Sequence, residues 1–131
     1  MELNLGSDIE GIPIMAGAYW NDTNIDMDAG ERYMLTASGR WIDFFIPSSP
    51  DGYSSPLSSI MLLNRFLRHP AGKLFSLIGC LDRRVEQQFI IGRGVTFDPE
   101  VSGRLYCFAN DVPGFYWNNW GHIALTIKRI M

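Results

Sequence analysis

The chain has 131 residues, 47% hydrophobic and 13% aromatic, which suits one domain (1–131) with a proper core and leaves little room for a second. Lys and Arg number 11 against 14 Asp and Glu, for a net charge of −3. Arg65 with Arg68 and Arg83 with Arg84 are short patches of solvated charge rather than a basic stripe, so no nucleic-acid partner is expected.

The first residues, MELNLGSDIEG, lack a basic stretch followed by a long apolar one, so no secretory signal is expected. No run of about 18 apolar residues is present to span a membrane. The compartment stays open between the cytoplasm and export by a non-classical route. Gly and Pro punctuate the chain at intervals of roughly eight to twelve residues, the spacing of an antiparallel sandwich or barrel. In chain order, 12–15 reads as a weak strand and Asp28-Ala29-Gly30-Glu31 as a turn. Residues 32–38 read as a strand with Tyr33, Leu35 and Ala37 on one face. IPSSPDGYSSP, 46–56, reads as a long loop of the kind that often carries binding. SSIMLLNRFLR, 58–68, sets Ile60, Leu63 and Leu67 at helical spacing behind Ser59 as a cap, which predicts one short helix.

Strands follow at 73–81, 86–91 and 104–110, where Tyr106 and Phe108 alternate with Leu105, Cys107 and Ala109 so that both faces are coverable. The clearest is 122–129, with Ile123, Leu125 and Ile127 inward and His122, Thr126 and Lys128 outward. Cys80 and Cys107 lie in apolar runs as small hydrophobes. Their pairing depends on whether their strands are neighbours, and neither has a partner at zinc-ligand spacing.

The segment NDVPGFYWNN, 110–119, concentrates chemistry. Calcium takes oxygens from carboxylates, amides, backbone carbonyls and water. The loop offers the carboxylate of Asp111, the amide oxygens of Asn118 and Asn119, and a backbone carbonyl near Phe115. Pro113-Gly114 turns the chain so that the two ends converge. Asp43, expected on a separate loop, is the nearest second acid. The commoner arrangement for such residue types is a hairpin loop whose Asp and Asn cap their own backbone, and the spacing is not that of an EF-hand.

SGRLYCFANDVPGFYWNNWGHIALTI resembles the last third of the bacterial galactophilic lectins of the PA-IL family, whose mark is N-D-x-P-G-x-x-x-N-N-x-G. Asn110, Asp111, Pro113, Gly114, Asn118, Asn119 and Gly121 fit it. TASGRW, 36–41, looks like the family's strand-end before its first calcium loop, and KLFSLIG, 73–79, like its central strand. The resemblance implies an all-β, jelly-roll-type, galactose-binding-domain-like sandwich that binds calcium. It implies calcium ligands at Asp111, the Phe115 carbonyl, Asn118, Asn119 and Asp43, the last through its carbonyl or its carboxylate. It implies sugar contacts at Asp111, Val112 and Asn118. Tyr53, Tyr116 and Trp117 are candidates to cover a sugar's apolar face, or else are packing. The family's sugar-orienting His and Gln have no counterpart around 57–62, so galactose is not carried over as the specific sugar. His69 is expected to have no ligand role.

The leading expectation is therefore a calcium-dependent carbohydrate-binding module, with a homo-oligomer as a route to avidity. The alternative is a scaffold whose calcium is structural or absent and whose partner is a protein or lipid surface, a reading that needs Ile60-Met61-Leu62-Leu63, Phe66 and Leu67 to be exposed. Glycosidase chemistry would need Asp111 to pair with Asp43, Asp51 or Glu100. No motif pairs them, and the chain is not expected to be an enzyme.

Overall fold

The alternating runs become strands in a computed structural model that describes residues 1–54 and 63–131. The strands are β1 (Asp8–Met15), β2 (Asn21–Met27), β3 (Tyr33–Asp43), β4 (Ile46–Ser48), β5 (Asp51–Tyr53), β6 (Leu74–Leu81), β7 (Gln88–Ile90), β8 (Gly94–Phe97), β9 (Gly103–Ala109) and β10 (Asn119–Arg129). They form two five-stranded sheets. One runs β1-β10-β3-β4 with β8 also on β3; the other runs β2-β9-β6-β5 with β7 also on β6. All these pairings are antiparallel. The all-β sandwich expected from the punctuation is what forms.

The core lies between the sheets because each strand's inward set is apolar. Ile14, Tyr33, Leu35, Trp41, Ile123, Leu125 and Ile127 from one sheet meet Ile25, Phe75, Leu77, Leu105 and Cys107 from the other, all buried. Trp41 reaches across: its indole N–H donates to the Phe75 carbonyl at 3.1 Å, so the polar edge of a fully buried ring is satisfied. β6 and β9 are neighbours, yet Cys107 faces Gly79 in register while Cys80 faces Tyr106. With a one-residue offset the thiols lie on opposite faces of the sheet. Cys107 packs in the main core, Cys80 packs with Ile78 and Phe108 under Trp20, and both are free.

Several expectations change. The helix predicted over 58–68 is described only at its end, where Leu63–Phe66 is a 3₁₀ turn; Ser59, Ile60, Met61 and Leu62 lie outside the described residues. The loop 46–56 instead supplies two short strands, β4 and β5, before the described residues stop at 54. Asp43 is not on a separate loop but is the last residue of β3. Among the described residues, no helix is long and apolar enough to cross a membrane.

Candidate functional site

Three strand ends meet at one end of the sandwich: the C-terminus of β3, the C-terminus of β9 and the N-terminus of β10. The chain leaves β9 through Asn110, whose side chain is fully buried. The Asn110 amide nitrogen donates to the carbonyls of His69 at 2.9 Å and Lys73 at 3.0 Å, while its oxygen accepts from the His69 N–H at 3.0 Å. Asp111 follows, only 5% exposed. The Phe115 N–H then donates to the Val112 carbonyl at 3.1 Å. This closes a tight turn through Pro113 and Gly114, with Gly114 at φ 93°, the conformation for which glycine is favoured after proline. A 3₁₀ turn, Tyr116–Asn118, returns the chain to β10 at Asn119.

The turn brings the two ends of the loop into contact. Asp111 Oδ2 accepts from the Asn119 amide nitrogen at 3.0 Å, and Oδ1 accepts from the Val112 N–H at 2.7 Å. The Asn119 nitrogen also reaches the Ala16 carbonyl at 3.4 Å. Both uses of that nitrogen orient the amide, and its oxygen is left without a partner among the described residues. Among the described residues, the side-chain oxygens of Asn118 and Asn119 are buried with no hydrogen-bond partner. Capping of the loop's own backbone therefore accounts for one oxygen of Asp111 and for neither asparagine oxygen. Buried polar atoms are nearly always paired, so two orphaned oxygens beside a buried carboxylate call for a donor or a cation.

The second acid comes from the other strand. Asp43 is the cross-strand partner of Asn119. Its Oδ2 accepts from the Tyr53 hydroxyl at 2.5 Å, so Tyr53 positions an acid of the site. Burial, then the bond to Asp43, holds the Tyr53 hydroxyl protonated well above its usual range. Asp111 is pushed up to about 6, chiefly by burial and also by the charge of Asp43, while the Asn119 and Val112 N–H groups pull it the other way. Asp43, Asp111, Val112, Phe115 and Asn118 line a cavity of about 170 Å³ whose apolar wall includes Leu67 and Leu74.

These donors suit a hard cation. Among the described residues no three His, Cys, Asp or Glu side chains come together, so the charge is limited to two carboxylates. The remaining donors are neutral amide and carbonyl oxygens, which are calcium's ligand types rather than zinc's. The structure thus gathers Asp43, Asp111, Val112, Phe115, Asn118 and Asn119, all named from sequence. Of the aromatic candidates, Tyr116 is packing, 8% exposed with its hydroxyl donating to the Ala109 carbonyl, and Trp117 stands 77% exposed on the turn.

The fold has a solved counterpart. The N-terminal domain of EclA, a PllA-like lectin, superposes with a TM-score of 0.69 over 93% of this chain and 97% of that one, at 19% sequence identity. This chain shares that domain's fold. No family model matches the sequence and no curated protein does. Within that fold the cavity sits where both sheets contribute: Asp43 from one, Asp111 and Tyr53 from the other. Other acids are elsewhere. Asp51 accepts from the Arg93 N–H at 2.8 Å, and Glu100 lines a separate hollow with Glu86 and Asp98. Leu67 and Leu74, and Arg68 beside them, were invisible as site residues because no motif links them to the 110–119 loop.

Proposed function

We propose that the chain is a calcium-dependent carbohydrate-binding module. The observation that carries this reading is the pair of orphaned oxygens on Asn118 and Asn119 next to the carboxylates of Asp111 and Asp43. The lectin fold supports it. Asp111, Asp43, Asn118, Asn119 and the Phe115 carbonyl would hold the ion. When bound, calcium supplies an electrophilic centre at which two neighbouring sugar hydroxyls can take the place of water. Asp111 and Asn118 line the cavity and accept or donate hydrogen bonds to those hydroxyls. Val112 and the half-exposed Phe115 give apolar surface for the sugar's C–H face.

The test joins two measurements. Calcium should raise the melting temperature and a chelator should reverse the rise, because a ligand of the folded state stabilises it. Binding to a glycan array should require calcium and vanish in Asp111→Asn. A melting temperature indifferent to both additions would end the reading.

A second reading has one specific observation behind it. Phe44, Phe45, Ile46, Trp117 and Trp120 are all exposed near the site end, with Phe45 at 78%, and such a patch suits a protein or lipid partner. Calcium binding with a silent array would favour it.

A further inference from the structure

We infer that Arg68 is a positioning residue for the oxygen-bearing loop, an inference that rests on the calcium reading of the site. Its guanidinium carbon lies 3.4 Å from the Phe108 ring centroid, 3.6 Å from Tyr19, 4.6 Å from Trp20 and 5.4 Å from Tyr116. Those rings hold one another edge-on: Trp20 on Phe108 at 5.5 Å, Tyr19 on Trp20 at 5.9 Å, Tyr19 on Tyr116 at 5.4 Å. No ion pair among the described residues involves Arg68. A charge meant only for solubility does not need such a box; a planar cation that fixes its surroundings does.

What Arg68 fixes is the loop at both ends. Its backbone N–H donates to the Asp111 carbonyl at 3.1 Å. Its Nη1 donates to the Tyr19 carbonyl at 2.5 Å and to the Tyr116 hydroxyl at 3.0 Å. That hydroxyl in turn donates to the Ala109 carbonyl at the end of β9. Tyr116 stands between Phe115 and Asn118, which line the cavity and whose carbonyl and amide oxygens would hold the ion. The guanidinium, through Tyr116, sets the backbone on which those oxygens are carried. Neighbours that orient metal ligands without touching the metal matter nearly as much as the ligands themselves.

The experiment is calcium titration by calorimetry of the wild type, Arg68→Lys, Tyr116→Phe and the double variant, with Arg83→Lys as a control on another aromatic contact. Lysine keeps the charge but has no planar fork to stack and donate together. Arg68→Lys and Tyr116→Phe are each expected to weaken calcium binding by roughly tenfold. The double variant is expected to be no weaker than either single one, since both break one linkage. Arg83→Lys should bind as the wild type does. Melting temperatures in chelator report folding separately, and Tyr116→Phe, which keeps the ring, carries the test if Arg68→Lys fails to fold. Variants that bind calcium like the wild type, or losses that simply add, overturn the positioning role while the calcium reading stands. A wild type that binds no calcium overturns both.

Discussion

Asp111 is costly to keep where it is. A carboxylate 5% exposed beside a second acid prefers its proton, which is why it sits near 6. Two predictions follow from that cost. Asp111→Asn is nearly isosteric and removes the buried charge, so in chelator at pH 8 the variant should melt no lower than the wild type, and in calcium it should gain nothing. Function and stability then move in opposite directions at one residue, and melting curves with and without calcium read both. The pH dependence has a definite sign. With a folded pKa raised above the unfolded carboxylate value of about 3.9, the group's stabilising contribution is complete below that value and is lost as pH rises through about 6. Calcium favours the ionised form. The calcium-induced rise in melting temperature should therefore be small at pH 5 and large at pH 7.5.

The loop from Asn110 to Asn119 was legible in the sequence because its chemistry is local. One turn, Pro113-Gly114, is enough to return Asn119 to Asp111, and the residue types alone announce both. Gly114 shows how much depends on that turn. A Cβ there would meet nothing within 4 Å, but φ is 93°, so Gly114→Ala should cost backbone strain alone, about 1–2 kcal/mol. Urea unfolding would measure the loss, and calcium affinity should fall with it. The parts from distant segments were less legible. Asp43 was named as the second acid, but its place opposite Asn119 comes from strand register, and Tyr53 was named for a sugar's apolar face, whereas its hydroxyl bonds Asp43. Arg68 read as ordinary surface charge because its aromatic partners at 19, 20, 108 and 116 are scattered along the chain.

For the whole molecule, the long strands were readable, β3 and β10 by alternation and β6 and β9 as apolar runs covered on both faces, whereas β2 was not. Its inward positions include Asn21 and Thr23, whose side chains bond the backbone of Met15, Cys107 and Leu105, so a buried face carries polar letters. β4 and β5 are three residues each and contain Pro47 and Gly52, which read as loop. The same topology predicts how calcium should act on the fold. Asp43 and Asn119 belong to one sheet, while Asp111 leaves the other, so an ion held by all three ties the sheets together at the end beneath which Trp41 already bonds Phe75. A local staple would slow hydrogen exchange only in the loop. A tie between sheets should slow it in β3 and β9 alike and shift a single cooperative transition. At a hundredfold excess over Kd the gain is about 2.7 kcal/mol, on the order of 10 °C for a domain of this size. Exchange measured by mass spectrometry with and without calcium checks it: protection confined to 110–119 would mean that the ion stiffens a loop and leaves the sandwich as it was.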